Sequence, residues 1–143
     1  MLGILDSVNR LLDKPDFGKL FLRVSFSVLM LFHGWHKLHG GIGFIEGMLT
    51  NAGLPAFVGY GVYVGEIIIP IMMILGILTR PAAVIFSFTM LVAALLVHSG
   101  DFLSLEKTGA WAVEGAAVFF FAGIAIALLG SGKYSVMSNP RWR

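Results

Sequence analysis

The chain contains no cysteine. That excludes disulfides, thiol redox chemistry, and zinc or iron–sulfur clusters held by thiolates. Charge is scarce too: Asp, Glu, Lys and Arg make up 13% of the residues, against 57% that are apolar. A soluble domain of 143 residues has too little interior to hide so much apolar surface, whereas a bilayer removes the need to hide it. The net charge of +2 is small and its basic residues form no stripe, so no nucleic-acid partner is expected. A secretory signal is not expected either. MLGILDSVNRLLDKPDFGK mixes charge throughout and has no apolar core ahead of a small-residue cleavage site, so the first apolar run is expected to stay in the mature protein. No linker, tandem repeat or low-complexity tract divides the chain, and one domain over residues 1–143 is expected.

What is present is a set of four apolar runs, at about residues 18–38, 57–78, 81–98 and 110–129. Each is long enough to cross a hydrocarbon core, which takes about 20 helical residues. They lack the polar face of a soluble helix. The expected fold is therefore all-α, an integral membrane four-helix bundle. Asp16 is the expected N-cap of the first span, and Thr79-Arg80-Pro81 the short turn that pairs the second and third. The stretch from Gly40 to Ala56 is expected to be a loop, given its Gly-Gly and Leu-Pro punctuation. Ile4, Leu5, Val8, Leu11 and Leu12 share one helical face, which predicts a short amphipathic N-terminal helix lying on the membrane surface.

Basic residues set the orientation. Arg10, Lys14 and Lys19 precede the first span, Arg80 lies between the second and third, and Lys133, Arg141 and Arg143 follow the fourth. Both termini are therefore expected in the cytoplasm. Depth then follows at about 1.5 Å per residue. The first span ends in LMLFHGWHKLHGG, which carries His33, His36, Lys37 and His39. Glu66 falls near the middle of the second span, His98 ends the third on the outer side, and Glu114 lies just inside the outer end of the fourth. Only Arg23 lies toward the cytoplasmic side.

Isolated charge at bilayer depth costs roughly 3 kcal/mol or more, so such groups turn inward and pair. Arg23, Met30, His33 and Lys37 recur at helical spacing and are expected on one face. By depth, His33 is the expected partner of Glu66, and Lys37 or His36 that of Glu114. Pro70 has no N–H to offer the Glu66 carbonyl four residues earlier, which predicts a kink beside the carboxylate. Gly61 and Gly65 just above read as close helix packing. Trp35, Trp111 and Trp142 read as interfacial anchors. His98 is expected to end the third span with Asp101 one turn on. A haem iron between His33 and His98 is a disfavoured alternative, and no metal site is expected.

These residues resemble the DoxX family of small four-span membrane proteins. The likeness rests on HGWHKLHGG with Gly34 and Lys37, on Gly53-Leu54-Pro55, on Glu66, on LGILTR ending at Arg80, on His98 and Glu114, and on GSGKYS from Gly130. The family's last motif usually reads Gly-Pro-Gly; Ser131 replaces the proline here. The family takes its name from a subunit of a thiosulfate:quinone oxidoreductase, and other members are tied to quinone or catechol stress and membrane redox complexes. The resemblance thus implies a bacterial cytoplasmic-membrane protein and raises Glu66, Lys37 and His33 as site candidates.

Three functions remain open. One is a membrane redox component with a quinone-like ring in the outer half of the bundle. Glu66, His33 and Glu114 would then exchange protons, and Lys37, His36, His98 and Arg23 would bind the ligand. No flavin or nicotinamide motif is recognisable, so electrons would come from a redox partner protein. The second is a non-enzymatic subunit that docks a partner complex. The third, weaker, is a small transporter or proton pathway, with a homo-oligomer making up for its few spans.

Overall fold

The computed structural model describes residues 1–143. It is all-helical, with six helices and no strand. We label them α1 (Leu2–Leu12), α2 (Pro15–Gly40), α3 (Gly43–Asn51), α4 (Ala56–Leu75), α5 (Thr79–Val97) and α6 (Glu114–Leu129). Three of them, α2, α4 and α5, are long and apolar enough to cross a membrane; α6 is apolar but has only 16 residues. Three of the four expected spans are thus present at full length, and the fourth corresponds to the shorter apolar α6. The residues expected to begin the last span are used otherwise. Trp111 Nε1 donates to the Phe102 carbonyl at 2.8 Å, and the backbone of Glu106 and Ala112 bonds to Ala110 and Ser104. Those bonds hold the segment as a compact loop and delay the helix to Glu114.

Two faces result. The loop face carries α3 and the segment between α5 and α6. The terminal face carries the start of α2, the turn from Gly76 to Leu78, and the chain after Leu129. Here Leu78 N donates to Trp142 O and Val136 N to Leu75 O, so the C-terminal tail lies across the ends of the helices. One core links the four longest helices: Met30 of α2, Ile69 and Met73 of α4, Ala82, Ala83, Phe86 and Met90 of α5, and Ile126 of α6. Along α2 the buried residues are Arg23, Ser27, Met30 and Gly34, and Lys37 continues the series. Their alternating spacing of four and three keeps one straight seam against the neighbouring helices.

Several local expectations change. Pro15 occupies the first turn of α2 and Lys14 is its N-cap; Asp16 instead accepts a hydrogen bond from Lys133 N at 3.0 Å. α5 begins at Thr79, so the turn is Gly76 to Leu78, with Gly76 left-handed at φ 77°. The stretch expected as a loop contains α3, anchored by buried Ile42 and Leu49. The amphipathic N-terminal helix is present as α1, and none of its residues is buried by the rest of the chain.

α4 is irregular where the sequence leads one to expect it. Its middle, Val64–Ile68, is a π turn, closed by Ile69 N donating to Val64 O, and it ends two residues before Pro70. Two glycines admit this widened turn into the bundle. A Cβ on Gly34 would lie 2.6 Å from the Glu66 carbonyl oxygen, and one on Gly65 would collide with the Thr89 side chain. Gly61 faces open space, so only the second glycine of that pair packs. Gly34→Ala is expected to lose about 1–3 kcal/mol of stability through overpacking. Gly61→Ala is expected to leave stability unchanged or slightly raised, as judged by thermal unfolding in detergent followed by tryptophan fluorescence.

Candidate functional site

The close approach at Gly34 sets the geometry one turn further along α2. Lys37 Nζ donates to both carboxylate oxygens of Glu66, at 2.5 Å to Oε1 and 2.7 Å to Oε2. The Tyr63 hydroxyl, one turn before Glu66, donates to the Lys37 carbonyl at 3.3 Å. Main chain and side chain of one lysine are thus tied to consecutive turns of α4. The π turn carries Glu66 on the inner side of its helix, where the side chain is 3% exposed, while that of Lys37 is 26% exposed.

This asymmetry matters chemically. An ammonium has three N–H donors, and Glu66 engages two of them. The third belongs to the part of the pair that is still reachable. A ligand oxygen could accept from it in a charge-assisted hydrogen bond, with Glu66 behind it as a proton acceptor.

The other candidate residues are distributed as follows. His33, one turn before Lys37 on α2, is exposed, and its ring meets the edge of Phe119 at 5.8 Å between centroids. It does not bond Glu66, which corrects the expected pairing. The physical reason is register: the seam passes through Met30 and Gly34, and His33 is rotated about 100° from Gly34. His36 is exposed and forms no side-chain hydrogen bond. Glu114 is exposed at the start of α6 and pairs with neither Lys37 nor His36, which corrects the other expected pairing. His98 ends α5, and its Nδ1 lies 3.2 Å from Asp101 Oδ2, as the spacing leads one to expect. The nearby His39 bonds no other side chain; its Nδ1 donates to the Trp35 carbonyl at 3.1 Å.

Arg23 belongs to the opposite end. It is fully buried and meets no carboxylate. Its Nη1 donates to the carbonyls of Met73 at 2.8 Å and Ile74 at 2.6 Å, and its Nε to that of Ser131 at 3.2 Å. The guanidinium therefore sits at the C-terminal end of α4, where carbonyls run short of helical donors; Met73 O receives only a long 3.3 Å bond from Gly76 N besides it. Arg80 does the same for α6, donating to Ala127 and Leu128, each at 2.7 Å. Sequence reasoning found both arginines but missed these roles. The available signal was the pairing of each with a helix end that closes on glycine, Gly76 or Gly130.

An apolar cavity of about 110 Å³ lies between α5, α6 and the loop before α6, lined by residues including Met90, Phe102, Trp111 and Phe120. Its lining includes neither Lys37 nor Glu66.

Comparison with known proteins adds two findings. The sequence profile of the DoxX family matches residues 18–99, a stretch that includes both Lys37 and Glu66. A Bacillus subtilis (strain 168) protein described as "Putative oxidoreductase CatD" is 32% identical over 82 residues, covering 57% of this chain and 60% of that one. The chain thus matches less than two thirds of that relative's length. No solved structure matches.

The geometry makes a testable statement about the pair. Removing one partner strands the other at depth, so Lys37→Met and Glu66→Leu are each expected to cost about 3 kcal/mol. The double variant is expected to recover most of that loss, because two apolar side chains leave no unpaired charge. A thermodynamic cycle of unfolding in detergent measures both.

Proposed function

The chain belongs to the DoxX family, an integral membrane protein with its apolar helices in lipid, and from that premise we propose that it is a component of a membrane redox system. The ligand is a quinone-like ring that takes the free N–H of Lys37 on one of its oxygens. His33, one turn away on the same accessible side of α2, flanks the ring. Reduction to the hydroquinone adds two electrons and two protons to the ring oxygens. The electrons come from a partner protein that carries a redox cofactor; the protons pass by way of Lys37 and Glu66. The single observation that carries this reading is the ion pair itself: an acid and a base deep in an apolar bundle, with only the lysine still reachable. The oxidoreductase description of the Bacillus relative points the same way.

In this reading α6 completes a four-span bundle. Its 16 residues give about 24 Å, short of a core of about 30 Å, and the membrane thins locally or the flanking loop residues make up the difference. The protein lies in the bacterial cytoplasmic membrane with both termini inside. The basic residues of the terminal face support that orientation. The absence of cysteine makes the test clean. Ser138→Cys is expected to resist a membrane-impermeant thiol reagent in intact spheroplasts, and Ser99→Cys to react.

A second reading is favoured by the state of Glu66, whose two oxygens are both engaged by Lys37. The pair would then fasten α2 to α4 so that the protein can dock a partner complex. Binding separates the two. The purified chain in nanodiscs is expected to bind a short-chain quinone, and Lys37→Met to weaken that binding about tenfold or more through loss of a charge-assisted hydrogen bond. If affinity is unchanged while the variant lowers partner assembly, the docking reading stands and the redox reading falls.

A further inference from the structure

The terminal face holds a feature that the ion pair does not explain. An open cleft of about 400 Å³ lies between the start of α2, the start of α5 and the chain after α6. Its lining is almost wholly polar and includes four cations, Lys19, Arg80, Lys133 and Arg143, against one acidic side chain, Asp16. None of these cations lies within 4.0 Å of a carboxylate; the contacts of that kind in the chain are Lys37 with Glu66 and the His98 ring with Asp101. Asp16 is turned to the backbone, where its Oδ1 accepts from Lys133 N. The cleft therefore carries a clear excess of positive charge.

The cleft is also built rather than incidental. Its floor is the Gly130-Ser131-Gly132 segment, in which both glycines are left-handed, at φ 78° and 70°. Buried Arg23 fixes that floor from below by donating to the Ser131 carbonyl. Arg80 is held in place through Nη1, which caps α6, and this leaves Nε and Nη2 without protein acceptors. Lys19 is half-buried at the mouth and makes no hydrogen bond through its ammonium. Fixed donors around a concave space with an excess of positive charge are the elements of an oxyanion site.

We propose that this cleft binds a phosphate group. The donor set, one guanidinium edge with flanking ammoniums, suits the tetrahedral oxygens of a phosphomonoester or phosphodiester. Two sources share that chemistry, an anionic phospholipid headgroup and a soluble phosphate. Position favours the lipid. The cleft sits where membrane-crossing helices α2 and α5 begin, at the depth of headgroups, beside the amphipathic α1 whose apolar side nothing in the chain covers.

The test uses the full chain in nanodiscs of phosphatidylcholine with or without phosphatidylglycerol, and native mass spectrometry of the lipids retained on release. The wild type is expected to retain phosphatidylglycerol over phosphatidylcholine. Lys19→Gln and Lys133→Gln are each expected to reduce that preference roughly five-fold, as fits one basic residue at an anionic surface. Neither lysine makes a hydrogen bond or ion pair through its ammonium, and that of Lys133 meets only the ring of its exposed chain neighbour Tyr134, 5.3 Å from the centroid; both variants are therefore expected to keep the wild-type melting temperature. Inorganic phosphate is the second probe. If it raises the melting temperature of the wild type but not of Lys19→Gln, while no lipid preference is seen, the site takes soluble phosphate. Equal retention of both lipids together with no response to phosphate, or a lipid preference that both lysine variants leave intact, overturns the proposal.

Discussion

The ion pair between Lys37 and Glu66 depends on an absence of atoms. Gly34 lets the backbone of α4 come to within contact of α2, and the carbonyl of Glu66 rests where a Cβ would otherwise be. At that separation Nζ reaches both carboxylate oxygens. The π turn and Pro70 act in the same place. Proline removes one donor from the helical ladder, the turn widens by one residue, and the register of α4 shifts so that Glu66 faces inward. A glycine on one helix and a helix defect on the other are thus two halves of one arrangement.

The same seam of α2 ends on a cation at each side. Lys37 holds α4 by its acid near the loop face, and Arg23 holds it by its terminal carbonyls about 21 Å away along the helix axis. The two cations solve different problems. At the loop face a negative side chain needs a counter-charge; at the terminal face a helix end needs donors for its partial negative charge. Arg80 repeats the second solution on α6. Because the arginines meet carbonyl dipoles and not carboxylates, the terminal face keeps its formal positive charge.

Much of this was legible from the residues, and the parts that were not have identifiable causes. Long apolar runs gave α2, α4 and α5 with ends off by a few residues, and depth alone brought Lys37 and Glu66 into the same half of the membrane. Rotation about α2 was harder. His33, Gly34 and Lys37 lie within five positions, and a face drawn through Arg23, Met30 and His33 differs by one residue from the true seam through Met30 and Gly34. In apolar runs without a polar side, nothing in the pattern settles which of those is inside. α3 escaped because its flanking glycines read as loop, although buried Ile42 and Leu49 seat it. The start of α6 escaped because hydropathy does not register the hydrogen bonds that fold Ala110 to Val113 into the preceding loop.

The choice between a fastening and a working pair turns on what charge adds. Two helices that need only to be held together are held as well by apolar contacts, since desolvating an acid and a base offsets most of their attraction. Here an apolar core through Met30, Ile69 and Met73 already joins α2 to α4, and the close approach at Gly34 fixes the crossing beside it. What charge supplies that packing does not is a proton that can move and a donor that can be shared. Lys37 is reachable on one side and bonded to a buried acid on the other, which is the placement the proposed redox reading needs. A fastening would be expected to be sealed at both ends.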